Sequence, residues 1–183
     1  MSKVVYIGKS EDGIPFLIRY PEKKDLPELL RYINEISSEQ TFVSCQGEQL
    51  TLNQESEWLD KQLEGIKNHN VIHLVVEING KISGVSGVNM STVTIGKHVG
   101  VFGISIAKDF RNQGIGKILI EKVVAEAKTN LPQLKILVLG VFSNNPIAKK
   151  LYEEFGFKEY GRLPKGVLHR EEYVDDIKMY KEV

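Results

Sequence analysis

The sequence lacks the features that mark several large classes of protein. It has one cysteine, so no disulfide can form within the chain. Its 24 Lys and Arg residues balance 24 Asp and Glu residues, so it has no global basic field of the kind that nucleic-acid binders use. No stretch reaches the roughly 18 apolar residues of a membrane span, and the first residues carry no apolar signal core. We therefore expect a cytoplasmic protein that binds small molecules rather than nucleic acid or a membrane.

A metal site is also not expected. The four histidines are scattered, and their spacing matches no recognised set of metal ligands. His69 and His73 are four residues apart, which would align two side chains on one face of a helix. A strand predicted to begin near Val71 would break that alignment, and no acidic third ligand is evident nearby.

The spacing of apolar residues predicts a mixture of helices and strands. The apolar content of 42% is enough for a sizeable core, and the apolar period changes repeatedly between two and 3.6 residues. Asp12-Gly13 and Asn79-Gly80 each predict a tight hairpin turn between strands. Helical spacing begins near Lys24, Asn53 and Gly114. The run "LKILVLGVF" is almost unbroken, which predicts a strand buried on both faces.

These patterns predict a single domain over residues 1–183. The chain has no internal repeat, low-complexity tract or linker. We expect an α/β (α+β) fold, with a possible extra N-terminal strand in residues 1–15.

A glycine-rich loop, "FRNQGIGK" at residues 110–117, separates a predicted strand from a predicted helix. Glycine lets a backbone approach a ligand, and a helix N-terminus favours an anion. The P-loop motif fails because Arg111 and Ile118 replace its first glycine and its hydroxyl residue. The dinucleotide motif fails because Leu119 replaces its third glycine. By itself the loop fits either an anion site or a plain strand-to-helix turn.

A second segment, "LGVFSNNPIAKKLYEEFGFKEYG", follows on the next strand and helix. Together with "ISIAKDFRNQGIGKILI" it resembles the GNAT superfamily of N-acetyltransferases, which transfer an acetyl group from acetyl-CoA to an amine. The closing "GRLPKGVLHREEYVDDIKMY" is most similar to members that acetylate ribosomal-protein alanine, amino acids or small amines. The resemblance implies the GNAT fold: a mixed, largely antiparallel sheet of about six to seven strands with about four helices. Splayed strands of that sheet would hold acetyl-CoA.

The resemblance also implies which residues bind acetyl-CoA. The backbone of Ile104, Ser105 and Ile106 would bind the pantetheine arm and polarise the thioester carbonyl. The loop amides would bind the pyrophosphate, and this set comprises Arg111, Asn112, Gln113, Gly114, Ile115, Gly116 and Lys117. Asn145 would contact the pantetheine arm, although Asn at such a place is equally typical of a helix N-cap.

For catalysis, the resemblance implies an acid but does not identify a base. Tyr152 would protonate the departing CoA thiolate, although its spacing also fits a core aromatic. Some members have a Glu base where this chain has Gly140, so the base lies elsewhere or is water. The candidates from the sequence are Glu39, Glu48, His73 and His98. We expect direct transfer in a ternary complex, because Cys45 and the serines have no matching base arrangement.

The sequence narrows the acceptor substrate and the oligomeric state only to a few alternatives. The segments "SSEQTFVSCQGEQL" and "RLPKGVLHREEY" are expected to be loops that wall the acceptor cleft. The acceptor is a small amine, an amino acid or a protein N-terminus. The absence of Glu at Gly140 leaves a second hypothesis, a module that binds acetyl-CoA without turnover and regulates a protein partner. An apolar final strand pair favours a homodimer.

Overall fold

The computed structural model describes residues 3–183, so the first two residues of the predicted N-terminal segment lie outside the described residues. The strands within this range are β1 (Val4–Lys9), β2 (Pro15–Arg19), β3 (Val71–Ile78), β4 (Lys81–Met90), β5 (Val99–Ile106), β6 (Ile136–Phe142), β7 (Lys158–His169) and β8 (Glu172–Glu182). The α-helices within it are α1 (Leu26–Ser38), α2 (Leu52–Lys67), α3 (Ile115–Asn130) and α4 (Pro146–Glu154).

The eight strands found in residues 3–183 form one sheet in the order β1-β2-β3-β4-β5-β6-β8-β7. Neighbouring strands are antiparallel except β5 and β6, which are parallel. The expected mixed, largely antiparallel sheet with four helices is confirmed, with one strand more than expected. Both predicted hairpin turns are present, since β1 pairs with β2 and β3 pairs with β4.

Two helical layers cover the sheet. On one face, α1 and α2 bury a small cluster that comprises Leu29, Tyr32, Ile36, Leu59, Val75 and Ile82. On the other face, α3 buries a larger cluster that includes Leu119, Val123, Leu137, Leu139 and Val141. Each fully buried Leu or Ile contributes about 1.5–3 kcal/mol. Truncating Leu119 to Ala would therefore loosen α3 at a cost of about 2–5 kcal/mol.

The prediction that β6 is buried on both faces is wrong. Leu137, Leu139 and Val141 are buried beneath the α3 face, but Val138 and Gly140 on the opposite face are not buried. The reason is that α1 and α2 pack mainly against β3 and β4, so they leave this part of the sheet uncovered. An unbroken apolar run indicates that a strand has apolar residues on both of its faces. It does not indicate that helices cover both of these faces.

The parallel pair β5 and β6 stays together for only a short distance. Val99–Val101 pair with Ile136–Val138, and beyond these positions the two strands share no register. On its other side, β5 continues to pair with β4 as far as Ile106. The strands therefore part into a wedge toward their carboxyl ends, and this wedge positions the site.

The expectation that "RLPKGVLHREEY" forms a loop is also wrong. Most of it belongs to a long hairpin of β7 and β8, which turns at Arg170 and Glu171 with φ of 52° and 65°. Pro164 does not end the strand, because it lies in an irregularity between Leu163 and Val167 where the pairing register shifts. The other segment expected to be a loop, residues 37–50, begins with the last two residues of α1, and the rest of it lies outside regular secondary structure.

Candidate active site

A cleft of about 300 Å³ opens where β5 and β6 part. It brings together the end of β5, the loop before α3, the first turns of α4 and residues 41–43 of the α1–α2 loop. Eight of the predicted site residues line it: Ile104, Ser105, Ile106, Arg111, Asn112, Gly116, Asn145 and Tyr152. Gly114 and Lys117 line a second cavity of about 300 Å³ that shares Asn112, Gly116, Ile147 and Leu151 with the first. Gln113 and Ile115 line neither.

The β5 backbone presents donors to the wedge. The Ala107 N–H donates to the Ser83 carbonyl on β4 at 2.8 Å. Because peptide groups alternate in direction along an antiparallel ladder, the amide of Ser105 also faces β4, whereas those of Ile104 and Ile106 face the wedge. The Ile106 carbonyl accepts from Arg111 Nε at 2.8 Å, which agrees with that direction. An extended ligand between the strands therefore meets main-chain groups like those of a missing strand.

Two glycines lie at the junction between the loop and α3, and their surroundings differ. Gly114 has φ of 77°, the left-handed region in which a side chain is strained. A Cβ on Gly116 would meet no protein atom within 4 Å, so protein packing does not require glycine there. The first amides of α3 have no intrahelical partner and lie beside this open space. The loop thus leaves room for a ligand at the positive end of a helix dipole.

The cations of the loop are already paired. Arg111 donates to Glu39 at 2.5 Å in addition to the Ile106 carbonyl. Lys117 lies 3.1 Å from Glu154, and both side chains are largely exposed. Glu11, at the turn between β1 and β2, also lies against Gly114. Attraction for an anion at this loop therefore comes chiefly from the backbone amides, and binding by the side chains of Arg111 and Lys117 stays a prediction.

Helix α4 contributes a cap and a phenol. Asn145 Oδ1 accepts from the Ala148 N–H at 3.2 Å, so the N-cap interpretation is confirmed, and the residue also lines the cleft. Tyr152 is 8% exposed and packs edge-on against Phe102 and Phe157. Within residues 3–183 its hydroxyl makes no hydrogen bond to another protein group. Burial raises the pKa of Tyr152 to about 12, so the phenol keeps its proton at neutral pH and can donate it.

None of the four candidate bases lines the cleft. His73 is buried, its ring lies 5.0 Å from that of Trp58, and burial lowers its pKa to about 4. His98 precedes β5, so the length of that strand, roughly 25 Å, separates it from the cleft. Glu48 is exposed and accepts from the Gln46 N–H. The fourth, Glu39, approaches the cleft but binds Arg111.

Sequence reasoning missed an aromatic cluster beside the cleft. The ring of His169 lies 4.8 Å from that of Phe42 and 5.4 Å from that of Phe142. His169 Nδ1 accepts from the Asn144 amide at 3.1 Å, and its Nε2–H donates to the Gln40 carbonyl at 3.0 Å. This cluster attaches the α1–α2 loop to β6 and β7. No local pattern could reveal it, because its members are about 100 residues or more apart or lie in the segment expected to be a loop.

The part of the chain that the structure describes has neither a cluster of metal ligands nor a helix suited to a membrane. In residues 3–183, no group of three or more His, Cys, Asp or Glu side chains is arranged to hold a metal ion. None of the helices in the same range is long and apolar enough to cross a membrane.

Comparison with known proteins agrees with this geometry. A model of the acetyltransferase (GNAT) family matches residues 30–157. The L-amino acid N-acetyltransferase AaaT of Escherichia coli K12 is 29% identical over 161 residues, which are 87% of this chain and 93% of that protein. A GNAT-family acetyltransferase from Streptococcus pneumoniae has a TM-score of 0.84 and 32% identity over 92% of this chain and 99% of its own.

A more distant structure shares the fold. YncA of Salmonella typhimurium, a putative acetyltransferase solved with acetyl-CoA, has a TM-score of 0.79 at 16% identity over 91% of this chain and 93% of its own. The family match covers the wedge, the glycine-rich loop and α4, which together form the cleft. The chain therefore belongs to the GNAT family, and it is an acetyltransferase that transfers an acetyl group from acetyl-CoA to an amine.

Proposed function

We propose that the acceptor is a small primary amine, with free L-amino acids as the first class, and that it attacks acetyl-CoA directly. The observation that carries the proposal is the convergence of the β5 amides and the Tyr152 hydroxyl on one cleft. The L-amino acid N-acetyltransferase that resembles this chain over 87% of its length supports the choice of acceptor. Direct attack is supported by the Ser105 hydroxyl, which bonds the Tyr32 hydroxyl at 2.8 Å, and by Cys45, which does not line the cleft.

In this proposal each part of acetyl-CoA has its own group of residues. The amides of residues 112–117 bind the pyrophosphate, and the space beside Gly116 allows close approach. The wedge-facing backbone of Ile104 and Ile106 binds the pantetheine arm, and one of these N–H groups stabilises negative charge on the thioester oxygen. Asn145 contacts the arm from the start of α4 while it caps that helix.

Tyr152 completes the chemistry by donating its proton to the sulfur of the leaving CoA. A neutral phenol suits this role because it carries a proton to donate. The negative charge that grows on the sulfur makes the sulfur a strong proton acceptor. Its hydroxyl is hydrogen-bonded to no protein group in residues 3–183, so it is available to a ligand in the cleft. A module that only binds acetyl-CoA has no use for this acid, so Tyr152 favours an enzyme over the non-catalytic alternative.

The test is release of free thiol from acetyl-CoA, with mass spectrometry of the products, over a panel of acceptors. The panel contains the L-amino acids, simple amines and short peptides, including one that begins with alanine. We expect turnover with one or more free amino acids that exceeds turnover with every peptide by at least tenfold. Turnover with peptides alone would overturn the acceptor class. Calorimetric CoA binding without turnover of any acceptor would support the non-catalytic module instead.

We propose that the protein works as a homodimer. Tyr160, Leu163, Leu168 and Tyr173 of the final hairpin are 57–68% exposed, and an apolar surface of this kind favours association. Light scattering across micromolar concentrations should give the mass of a dimer. A monomer at all of these concentrations would contradict the proposal.

We also propose that residues 1–183 form one domain and that the protein works in the cytoplasm. One sheet that includes strands from both ends of the described chain supports the first point, and a free Cys45 supports the second. A single cooperative unfolding transition would agree with one domain, whereas two separate transitions would contradict it.

A further inference from the structure

The place where this chain has no catalytic glutamate lies beside a carboxylate from the next strand. A Cβ built on Gly140 would lie 3.3 Å from Asp176 Oδ1 and 3.3 Å from Lys178 Nζ. Both neighbours belong to β8, which pairs with β6 so that Gly140 is opposite Lys178 and Phe142 is opposite Asp176. Asp176 thus puts a carboxylate on the surface where Gly140 offers no side chain.

This carboxylate lies on the sheet face opposite the main core, beside the point where β5 and β6 part. Gly140 lies two residues beyond Val138, the last residue of β6 that pairs with β5, so it stands at the start of the wedge. Its face is the uncovered one, opposite to Leu139 and Val141. On the same face, the ring of Phe142 lies 6.1 Å from that of Phe42, which lines the cleft. Phe142, which is paired with Asp176, thus connects the surface around this carboxylate with a residue that lines the cleft.

We propose that Asp176 is the residue that takes the proton from the acceptor amine. The proposal rests on the proposed function and deepens it. Asp176 accepts one proton from the ammonium group, which frees the nitrogen lone pair to attack the thioester carbonyl carbon. The new C–N bond forms and the C–S bond breaks. Tyr152 gives its proton to sulfur and regains one from the attacking nitrogen, so the net products are the amide, CoA thiol and one proton that Asp176 passes to water.

The present partner of Asp176 shows that the site suits an ammonium group. Lys178 Nζ lies 2.7 Å from Asp176 Oδ2, and the Lys178 side chain is 46% exposed whereas that of Asp176 is 20% exposed. The lysine can therefore move into solvent while the carboxylate stays in place. A substrate ammonium would take the position that the lysine ammonium now holds.

Few other charged groups face this carboxylate. On β7, His169 reaches the same region through Phe142, and its two ring nitrogens are hydrogen-bonded to Asn144 and to the Gln40 carbonyl. Arg162 and Asp175 pair with each other at 3.2 Å, and Arg162 is aligned with buried Ile177, so this pair lies on the opposite face. From the α1–α2 loop, Phe42 approaches Phe142, while Glu39 binds Arg111. Strand β6 contributes only apolar residues at this point.

The first experiment compares the kcat/KM of Asp176→Asn with that of the wild type for the best acceptor across pH. At pH 7 we expect a loss of about 10²-fold or more, the contribution of a general base, with calorimetric CoA affinity unchanged. The loss should shrink as the pH approaches the pKa of the acceptor amine, because free amine then needs no base. A merely structural role would give a loss that does not depend on pH. A loss below threefold, or one that does not depend on pH, would overturn the proposal.

A rescue and a matched control sharpen this test. Gly140→Glu combined with Asp176→Ala should recover at least tenfold of the activity lost in Asp176→Ala alone, because the removed side chain leaves space for the new carboxylate. Failure of this rescue in a double variant that still binds CoA counts against the proposal. Asp175→Asn removes the adjacent carboxylate on the opposite face and should change kcat/KM by less than threefold. If Asp175→Asn lowered kcat/KM as much as Asp176→Asn does, that result would also contradict the proposal.

A second variant keeps the proposal testable should the Asp176 variants fail to fold. Lys178→Met leaves Asp176 in place and removes the ammonium that competes with the substrate, so kcat/KM should rise at least twofold. An unchanged or lower value would count against the proposal. Failure of the proposed function looks different, because the wild type itself would then release no thiol with any amine.

Discussion

Arg111 Nε donates a 2.8 Å hydrogen bond to the carbonyl of Ile106, the last residue of β5. The same guanidinium bonds Glu39, the residue that follows α1. One side chain therefore joins the glycine-rich loop, the wedge-facing strand and the end of the first helix. Lysine cannot reproduce this arrangement, because it lacks the fixed fork of guanidinium donors.

Arg111→Lys should therefore affect turnover more than binding. Loss of one hydrogen bond, about 1 kcal/mol, would misplace the β5 amides and lower kcat roughly fivefold. The Kd for CoA should stay within twofold of the wild type, because in the proposed site the pyrophosphate binds to backbone amides. Steady-state thiol release beside calorimetry measures both quantities. A Kd that rises more than kcat falls would instead make Arg111 a direct ligand of the pyrophosphate.

Gly116→Leu tests the proposed pyrophosphate site at a position where a new Cβ has open space. The new Cβ meets no protein atom within 4 Å, and leucine is a better helix former than glycine. The melting temperature without ligand should therefore not fall. The stabilisation by CoA, about 2.7 kcal/mol at a hundredfold excess over Kd in the wild type, should disappear because the side chain occupies the ligand's space.

Gly161→Leu is the matched control for that measurement, since a Cβ at Gly161 on β7 also meets no atom within 4 Å. It should keep the full shift with CoA. An unchanged shift in Gly116→Leu would remove the loop from the binding site. Gly114 is a less specific position for the test, because its φ of 77° strains any substituted backbone.

The parts of the site that follow local rules were predictable from the sequence. Gly114 and Gly116 stand between an apolar strand and an amphipathic helix, and Asn145 before Pro146 is a helix start, so both segments could be placed before the structure was known. The same is true of the hairpin at Asn79 and Gly80.

The parts that depend on partners distant in sequence were not predictable. The exposure of Gly140 depends on where α1 and α2 pack, which no property of β6 records. The carboxylate beside it comes from Asp176, whose position depends on the β6–β8 register. Proline normally ends a strand, so the shift of register around Pro164 hid the length of β7.

His73 makes the protein less stable in acid. Its folded pKa is about 4 because burial disfavours the charged ring, whereas in the unfolded chain it is near 6.5. Between about pH 4 and pH 6.5, His73 is therefore protonated in the unfolded chain but not in the folded protein. The stability attributable to neutral His73 is full above pH 6.5 and is lost as the pH falls toward 4.

Denaturant unfolding of the wild type and His73→Phe at pH 7 and pH 5 measures this effect. Phenylalanine retains a ring against Trp58 and cannot take up a proton. Between the two pH values the wild type should lose on the order of 2 kcal/mol more unfolding free energy than His73→Phe. Equal losses in the two proteins would contradict a buried, neutral His73.

Tyr152→Phe tests the account of the active site most directly. Phenylalanine keeps the packing against Phe102 and Phe157 but removes the proton donor, while Tyr160→Phe removes an exposed hydroxyl outside the cleft as a matched control. The decisive measurement is steady-state thiol release from acetyl-CoA beside calorimetric CoA binding for the wild type and both variants. The account predicts that Tyr152→Phe lowers turnover by about 10²- to 10⁴-fold with CoA affinity nearly unchanged, while Tyr160→Phe matches the wild type. A fall of less than about threefold in Tyr152→Phe, with CoA binding intact, would contradict it.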